Sequence, residues 1–284
     1  TGKTVIAAFD FKSYLLTNPK CKLLFIAHRK EILKQALFTF RGVLKDNNFG
    51  DLWFNNESPN KYDHVFASVQ ILNNRITEFG FSNEYFDFII IDEVHHIPAN
   101  SYQEILDMFK PKILLGLTAT PERMDQKDIL TDFCNTIAAE IRLPEALNHE
   151  FLCPFQYFGI SDSVDLSNFR WDKGRYLPSE LNTAYVNNKR RAIDIRDNLI
   201  KYLNDINDVT ALCFCASIDH ARYMHEMFIE FGLKSDYLVS TRNNERDSIL
   251  NSFTSKEINY LFVVDIFNEG VDIPQIDTIL FLRP

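Results

Sequence analysis

Two adjacent carboxylates, Asp92 and Glu93, follow the apolar run Phe88-Ile89-Ile90-Ile91 and precede Val94-His95-His96. Four consecutive apolar residues, three of them β-branched, read as a strand buried on both faces, the pattern of a parallel sheet covered by helices. In such sheets ligands sit just beyond the carboxyl ends of the strands, which is where Asp92 and Glu93 fall. An acidic pair at that lip suits a metal–phosphate site. Asp92 can hold Mg²⁺, and Glu93 can orient or deprotonate a water. The plainer reading is an acidic turn after an ordinary core strand. A metal site made of His95 and His96 is disfavoured, because adjacent histidines at a strand end point in different directions.

Three further groups bear on the choice. The chain opens Thr1-Gly2-Lys3-Thr4 ahead of a helix start, Val5-Ile6-Ala7-Ala8-Phe9. This matches the second half of G-x-x-x-x-G-K-[ST], in which backbone N–H groups cradle phosphates, the lysine reaches the β/γ-phosphates and the hydroxyl ligates Mg²⁺. Thr118-Ala119-Thr120-Pro121-Glu122-Arg123 ends another apolar strand, and Glu269-Gly270-Val271-Asp272-Ile273-Pro274 follows a third. Arg29, in His28-Arg29-Lys30, opens a helix after a buried strand, where it could face a phosphate backbone or simply sit in a solvated first turn.

The elements that must hold these groups alternate. Strands at 21–27, 64–69, 88–91 and 112–117 are separated by helical patterns, one over 101–109 ended by Pro111, which points to a parallel α/β sheet. Residues 46–63 read as loops around a short packed strand at Trp53 and Phe54. Residues 137–154 look like connectors, and 157–172 an apolar strand with a polar loop ending in Trp171. Helical periodicity runs over 181–202 and includes Lys189-Arg190-Arg191, a charge run expected to be a solvated helix face. From Thr210 the alternation resumes: strands at 211–216, 237–239, 260–264 and 278–282, and helices at 217–231, capped by Ser217, and 245–253. The expected division is a first domain over 1–147, a connecting segment over 148–208 and a second domain over 209–284.

Composition narrows the class. The chain has 284 residues, 46% hydrophobic and 24% charged, as in a soluble globular protein of two domains. No apolar run is long enough to span a bilayer and no signal-peptide pattern opens the chain. Five cysteines without paired metal-ligand spacing suggest reduced thiols and a cytoplasmic protein. A net charge of −9 argues against a basic nucleic-acid coat, but not against nucleic acid held in a local groove. The 25 phenylalanines fall mostly in strands or at helical spacing, so they are expected in the core.

Taken in order, Gly2-Lys3-Thr4, Asp92-Glu93-Val94-His95-His96, Thr118-Ala119-Thr120 and Glu269-Gly270-Val271-Asp272 resemble the motifs of the superfamily 2 helicases. The stretch from Ala27-His28-Arg29 to Gln35 and the triplet Ser68-Val69-Gln70 extend the resemblance over nearly the whole chain. Within that family the chain looks like the DEAH-like branch with the motor subunits of type I and type III restriction enzymes. Pro154-Phe155-Gln156-Tyr157-Phe158-Gly159-Ile160 also resembles helicase-like proteins that carry a phospholipase D-like nuclease domain.

The resemblance implies two RecA-like domains of a P-loop NTPase, ATP and Mg²⁺ as cofactors, and nucleic acid, DNA foremost, as partner. It gives Gly2 and Lys3 to the nucleotide, Thr4 and Asp92 to the metal, and Glu93 to the attacking water. His95 would couple hydrolysis to Thr118 and Thr120. Glu269, Gly270 and Asp272 would contact nucleotide or nucleic-acid backbone, and Arg29, Ser68 and Gln70 would line the strand-binding face. The first glycine of the phosphate loop and the family's arginine-finger element are absent from the sequence, so the chain is expected to be part of a larger motor, weak or inactive by itself. The competing expectations are a catalytically silent nucleic-acid-binding scaffold and an ATPase acting on protein partners.

Overall fold

A computed structural model describes residues 2–55, 57–75, 78, 80–94, 99–119, 130–172, 174–265 and 273–284. The chain divides into two compact units, Thr1–Gln156 and Tyr157–Pro284.

In the first unit α1 (Lys3–Thr17), β1 (Leu23–Ala27), α2 (Lys30–Leu44), β2 (Asp51–Trp53), β3 (His64–Ser68), α3 (Val69–Arg75), β4 (Phe88–Asp92), α4 (Ala99–Met108), β5 (Ile113–Leu117) and α5 (Leu143–Asn148) follow in order. The five strands form one parallel sheet in the order β2-β3-β1-β4-β5. Successive strand residues point to opposite faces, and here both faces are dry. Leu24, Ile26, Ile89 and Ile91 pack with Leu72 of α3 and Tyr102 and Ile105 of α4. Leu23, Phe25, Phe88 and Ile90 pack with Ala7 and Phe11 of α1 and Leu33 and Phe40 of α2. An unbroken apolar run is what a strand between two helical layers requires. The phenylalanines do take core positions: Phe11, Phe25, Phe40, Phe66 and Phe88 pack ring against ring at 5.3 to 6.0 Å.

The second unit begins with an antiparallel hairpin, β6 (Trp171–Asp172) and β7 (Arg175–Tyr176). There follow α6 (Pro178–Tyr185), α7 (Lys189–Tyr202), β8 (Ala211–Phe214), α8 (Ile218–Glu230), β9 (Ser235–Leu238), α9 (Arg246–Thr254), β10 (Tyr260–Val263) and β11 (Thr278–Phe281). The last four strands form a parallel sheet ordered β11-β8-β10-β9. Ala192 and Leu199 of α7 and Met224 and Phe228 of α8 cover one face, against Cys213, Tyr260 and Phe262. Ile249 and Phe253 of α9 cover the other, against Leu212, Phe214 and Leu261. The Ser217 hydroxyl caps α8 by accepting from the His220 N–H at 3.0 Å. Cys213 and Cys215 share one buried face, and the five cysteines are free thiols.

Three local expectations change. Residues 157–160 form no strand; Tyr157 is 80% and Phe158 44% exposed, because this short run has no strand to pair with among the described residues. The helical pattern over 181–202 is two helices. Asn187 turns left-handed at φ 61°, and the Asn188 side chain accepts from the Arg191 N–H to start α7, the role for which asparagine is suited. The Lys189-Arg190-Arg191 run is not uniformly solvated, since Arg191 is buried at 5% exposure. No helix among the described residues is long and apolar enough to cross a membrane.

Candidate active site

The register of the first sheet brings the carboxyl ends of four strands to one edge. Ala27 of β1 lies beside Ser68 of β3, Ile26 beside Ile91 of β4, and Asp92 beside Leu117 of β5. Arg29, Ser68, Gln70, Asp92, Glu93 and Thr118 therefore occur at or just past the same edge, where an open parallel sheet binds its ligands. Gly116 permits the close packing behind it. A Cβ there would stand 2.8 Å from the Phe133 ring and 3.1 Å from Val94 Cγ1, so only glycine lets those side chains close over β5.

The helix that serves this edge is α1. Phe11 meets Phe88 edge to face at 5.5 Å, which fixes α1 against the strand that ends in Asp92. Gly2 precedes the helix in the left-handed region, φ 79°, a conformation open to glycine at little cost. The N-terminus of this 15-residue helix carries no side-chain cap and no acidic residue in its first turn. Its leading amides and the positive end of its dipole thus suit an anion. Lys3, the first helical residue, places Nζ 3.5 Å from Glu93 Oε1, and Thr4 is half-buried in the same turn.

Asp92 is 6% exposed. Burial, with the charge of Glu93 added, pushes its carboxyl up to about 6, against the Glu93 N–H, which donates to Asp92 Oδ1 at 3.0 Å, and the Lys3 charge. Glu93 adopts φ 52°, an uncommon conformation for a residue with a side chain. Backbone strain of this kind is maintained by surrounding structure and is characteristic of functional positions.

The remaining expected residues divide. Ser68 is buried and its hydroxyl accepts from the Ile71 N–H at 3.3 Å, capping α3, whereas Gln70 is exposed. Arg29 is the extended residue before α2 and is half-buried. Thr118 follows β5 and is half-buried. His95, Thr120, Glu269, Gly270 and Asp272 lie outside the described residues. Sequence reasoning missed Tyr102, a buried phenol on α4 that packs with Ile91 and Val94 and whose ionisation is opposed by burial first and then by the charges of Asp92 and Glu93. Its signal is only its place in the helix that follows the acidic pair.

The donor set fits a hard divalent cation with a phosphate. No group of three or more His, Cys, Asp and Glu that could hold a metal ion occurs among the described residues, so an ion here would draw on Asp92 and on hydroxyl, water and phosphate oxygens. That is the usual manner of Mg²⁺, which keeps several waters and takes one or two carboxylates. A buried Asp92 beside Glu93 carries unfavourable like charge that such a cation would offset.

Known protein families match the chain in sequence. The family described as "Type III restriction enzyme, res subunit" matches residues 1–123, and the "Helicase conserved C-terminal domain" matches residues 194–284. The chain is 31% identical over 281 residues to the putative ATP-dependent helicase IRC3 of Saccharomyces cerevisiae, covering 93% of this chain and 39% of that protein. It is 26% identical to a 51.5 kDa protein of a Lactococcus phage, covering 100% of this chain and 57% of that one. The chain thus spans roughly half the length of these relatives or less. Among solved structures, S. cerevisiae Dbp5 bound to Gle1 and IP6 superposes with a TM-score of 0.62 at 13% identity, over 98% of this chain and 66% of that one. That likeness identifies both units as RecA-like folds. With a restriction-enzyme res region that contains the site at β4, followed by a helicase C-terminal region, the chain belongs to superfamily 2 of the helicases, with Res-like features.

Proposed function

We propose that the chain is the motor region of an ATP-driven helicase or translocase acting on DNA. The observation that carries this reading is the meeting of Lys3, at an uncapped helix N-terminus, with Asp92 and Glu93 at the end of a buried strand. In this reading Gly2, Lys3 and the first amides of α1 bind the nucleotide phosphates. Thr4 and Asp92 hold Mg²⁺, which supplies charge neutralisation at the transferred phosphoryl group. Glu93 positions the attacking water and accepts its proton.

His95 marks the DEAH-like branch and, with Thr118 and Thr120, couples hydrolysis to movement. Glu269, Gly270 and Asp272 add contacts to nucleotide or nucleic-acid backbone, and Arg29, Ser68 and Gln70 contribute to the strand-binding face. Because the Ser68 hydroxyl already caps α3, its share would be made by its backbone and its placing of Gln70. The match to a restriction-enzyme res subunit supports DNA as substrate and further domains, such as a nuclease, in the whole protein. The free cysteines support a cytoplasmic setting.

ATP hydrolysis by the whole protein, measured with and without single-stranded and duplex DNA and repeated with Glu93→Gln, tests the proposal. Stimulation by DNA that Glu93→Gln removes is the expected result. Hydrolysis indifferent to DNA would favour an ATPase acting on protein partners, and no hydrolysis would favour a silent scaffold; either overturns the motor.

A further inference from the structure

The chain has two tryptophans, and the fold places them oppositely. Trp53 is fully buried, whereas Trp171 is 62% exposed on the β6–β7 hairpin. Trp171 and Tyr176 are directly opposed across that hairpin, and their rings meet edge to face at 4.7 Å. Tryptophan is normally well buried, and together with tyrosine it is enriched on surfaces that meet a partner.

The pair is exposed but not loose. The Leu177 N–H donates to the Arg170 carbonyl across the base of the hairpin, and the Arg170 N–H donates to Glu180 Oε2 at 2.7 Å. Glu180 lies in the first turn of α6, so the hairpin is fastened to that helix. Two residues on, Asn182 accepts from the Ser217 hydroxyl, and the Tyr185 ring packs on His220 at 5.1 Å. Ser217 and His220 begin α8 just past the carboxyl end of β8. The hairpin is thereby held on the side of the second unit where a parallel sheet presents its ligand-binding edge.

Its chemistry suits one kind of ligand. The stretch Arg170-Trp171-Asp172-Lys173-Gly174-Arg175-Tyr176 sets three cations against one carboxylate around the two rings. The Arg170 side chain is 81% exposed and meets the Glu180 carboxylate at 3.6 Å. A protein partner is met by a contiguous apolar patch. The hairpin instead offers one aromatic pair set among charges. Aromatic rings beside basic residues are how proteins hold single strands, with bases stacked on the rings and phosphates facing the cations.

We propose that the β6–β7 hairpin is a contact for single-stranded DNA, in which a base stacks on Trp171 and Arg170 meets the adjoining phosphate. The inference rests on the reading of the chain as a DNA motor and adds a contact outside its motifs. Stacking of this kind tolerates any base, as movement along any sequence requires.

Binding of fluorescently labelled oligothymidylate to the whole protein, with a slowly hydrolysed ATP analogue present, is compared for wild type, Trp171→Phe and Trp171→Ala. Trp171→Ala should bind about tenfold more weakly, and Trp171→Phe should keep most of the affinity. On a strand made of abasic sites, wild type and Trp171→Ala should bind alike, because the phosphates remain and the bases do not. Equal affinity of all three proteins for oligothymidylate, with DNA-stimulated hydrolysis intact, would overturn the role of the hairpin alone and leave its rings to a protein partner. A loss in Trp171→Ala that persists in full on the abasic strand would not be a loss of stacking, and would overturn it equally. Binding of duplex DNA but not of oligothymidylate by wild type would overturn the hairpin contact and spare the motor. Binding of neither would overturn the motor reading and the inference with it.

Discussion

The Lys3 ammonium stands 3.5 Å from the Glu93 carboxylate, joining the first turn of α1 to the end of β4. The side chains are 28% and 16% exposed, and the contact is long. A partly solvated pair of this kind contributes at most about 1 kcal/mol to folding. Its interest is therefore positional: the lysine is kept where an incoming phosphate would replace the carboxylate as its partner. Lys3→Met should lower ATP hydrolysis by the whole protein on the order of a hundredfold, as for the loss of a group that stabilises transition-state charge. Stability should change by less than about 1 kcal/mol. Steady-state hydrolysis and urea denaturation of the same preparations check the two halves of this expectation.

Phe11 determines whether Lys3 is in place. It is fully buried and touches Phe40, Phe49 and Phe88 at 5.5 to 6.0 Å between ring centroids. Phe11→Ala removes the ring and leaves a cavity between α1 and β4, which should cost about 3–5 kcal/mol. The loss should fall in the unfolding transition of the first unit and leave that of the second unchanged. Hydrogen exchange resolved by segment distinguishes this from a uniform loss of stability.

Asp92 should show stability and function opposed. Its carboxyl titrates near about 6 in the folded chain and near its ordinary 3.8 when unfolded. The raised value means that folding favours the protonated form. The wild-type protein is then most stable on this account below about 4, and loses stability as pH rises through about 6. The full loss is on the order of 3 kcal/mol above that range. Asp92→Asn, measured without metal, should be more stable than wild type at pH 7 and should lack this limb of the profile. It should also lose Mg²⁺-dependent nucleotide binding. Denaturant midpoints from pH 4 to 7.5 check the first claim, and a gain of stability for wild type with rising pH would refute it.

The sequence makes some of these relationships legible and hides others, for physical reasons. Ile89-Ile90-Ile91 reads as a doubly covered strand because burial on both faces leaves no position for a polar residue. The groups at its end can be named because a parallel sheet brings all its carboxyl ends to one edge. Tyr102 is hidden because its burial beside Ile91 and Val94 depends on how α4 packs on the sheet, which periodicity does not report. Gly116 is hidden for a similar cause: its lack of a side chain matters only once Phe133 and Val94 close on it. Arg191 inverts the usual reading of a charge run, since two neighbours in sequence are solvated while the third is turned into the core. The break at Asn187 and Asn188 is visible in retrospect as a pair of residues that favour turns and caps over helix interiors.

Arg191 and His220 lead to the last prediction. The guanidinium is held by Asp162 through Nε at 2.8 Å, by the Leu282 carbonyl through Nη2 at 2.9 Å, and by the Tyr185 ring 3.9 Å below it. Its Nη1 lies 3.2 Å from His220 Nε2, while the Ala216 N–H approaches His220 Nδ1 at 3.2 Å. Both ring nitrogens thus face donors, and an imidazolium, carrying a proton on each, would oppose both. Burial, with the Arg191 charge beside it, accordingly drives the His220 pKa down to about 3. A depressed histidine stabilises the fold above its unfolded value of about 6.5 and loses that contribution as pH falls towards 3. The second unit should therefore become less stable between about pH 6.5 and 3, by a few kcal/mol at full extent. His220→Asn should remove this dependence while lowering stability at pH 7. Circular dichroism melts of both proteins at pH 7, 5.5 and 4 test it, and parallel profiles for the two would show that His220 does not govern the acid limb.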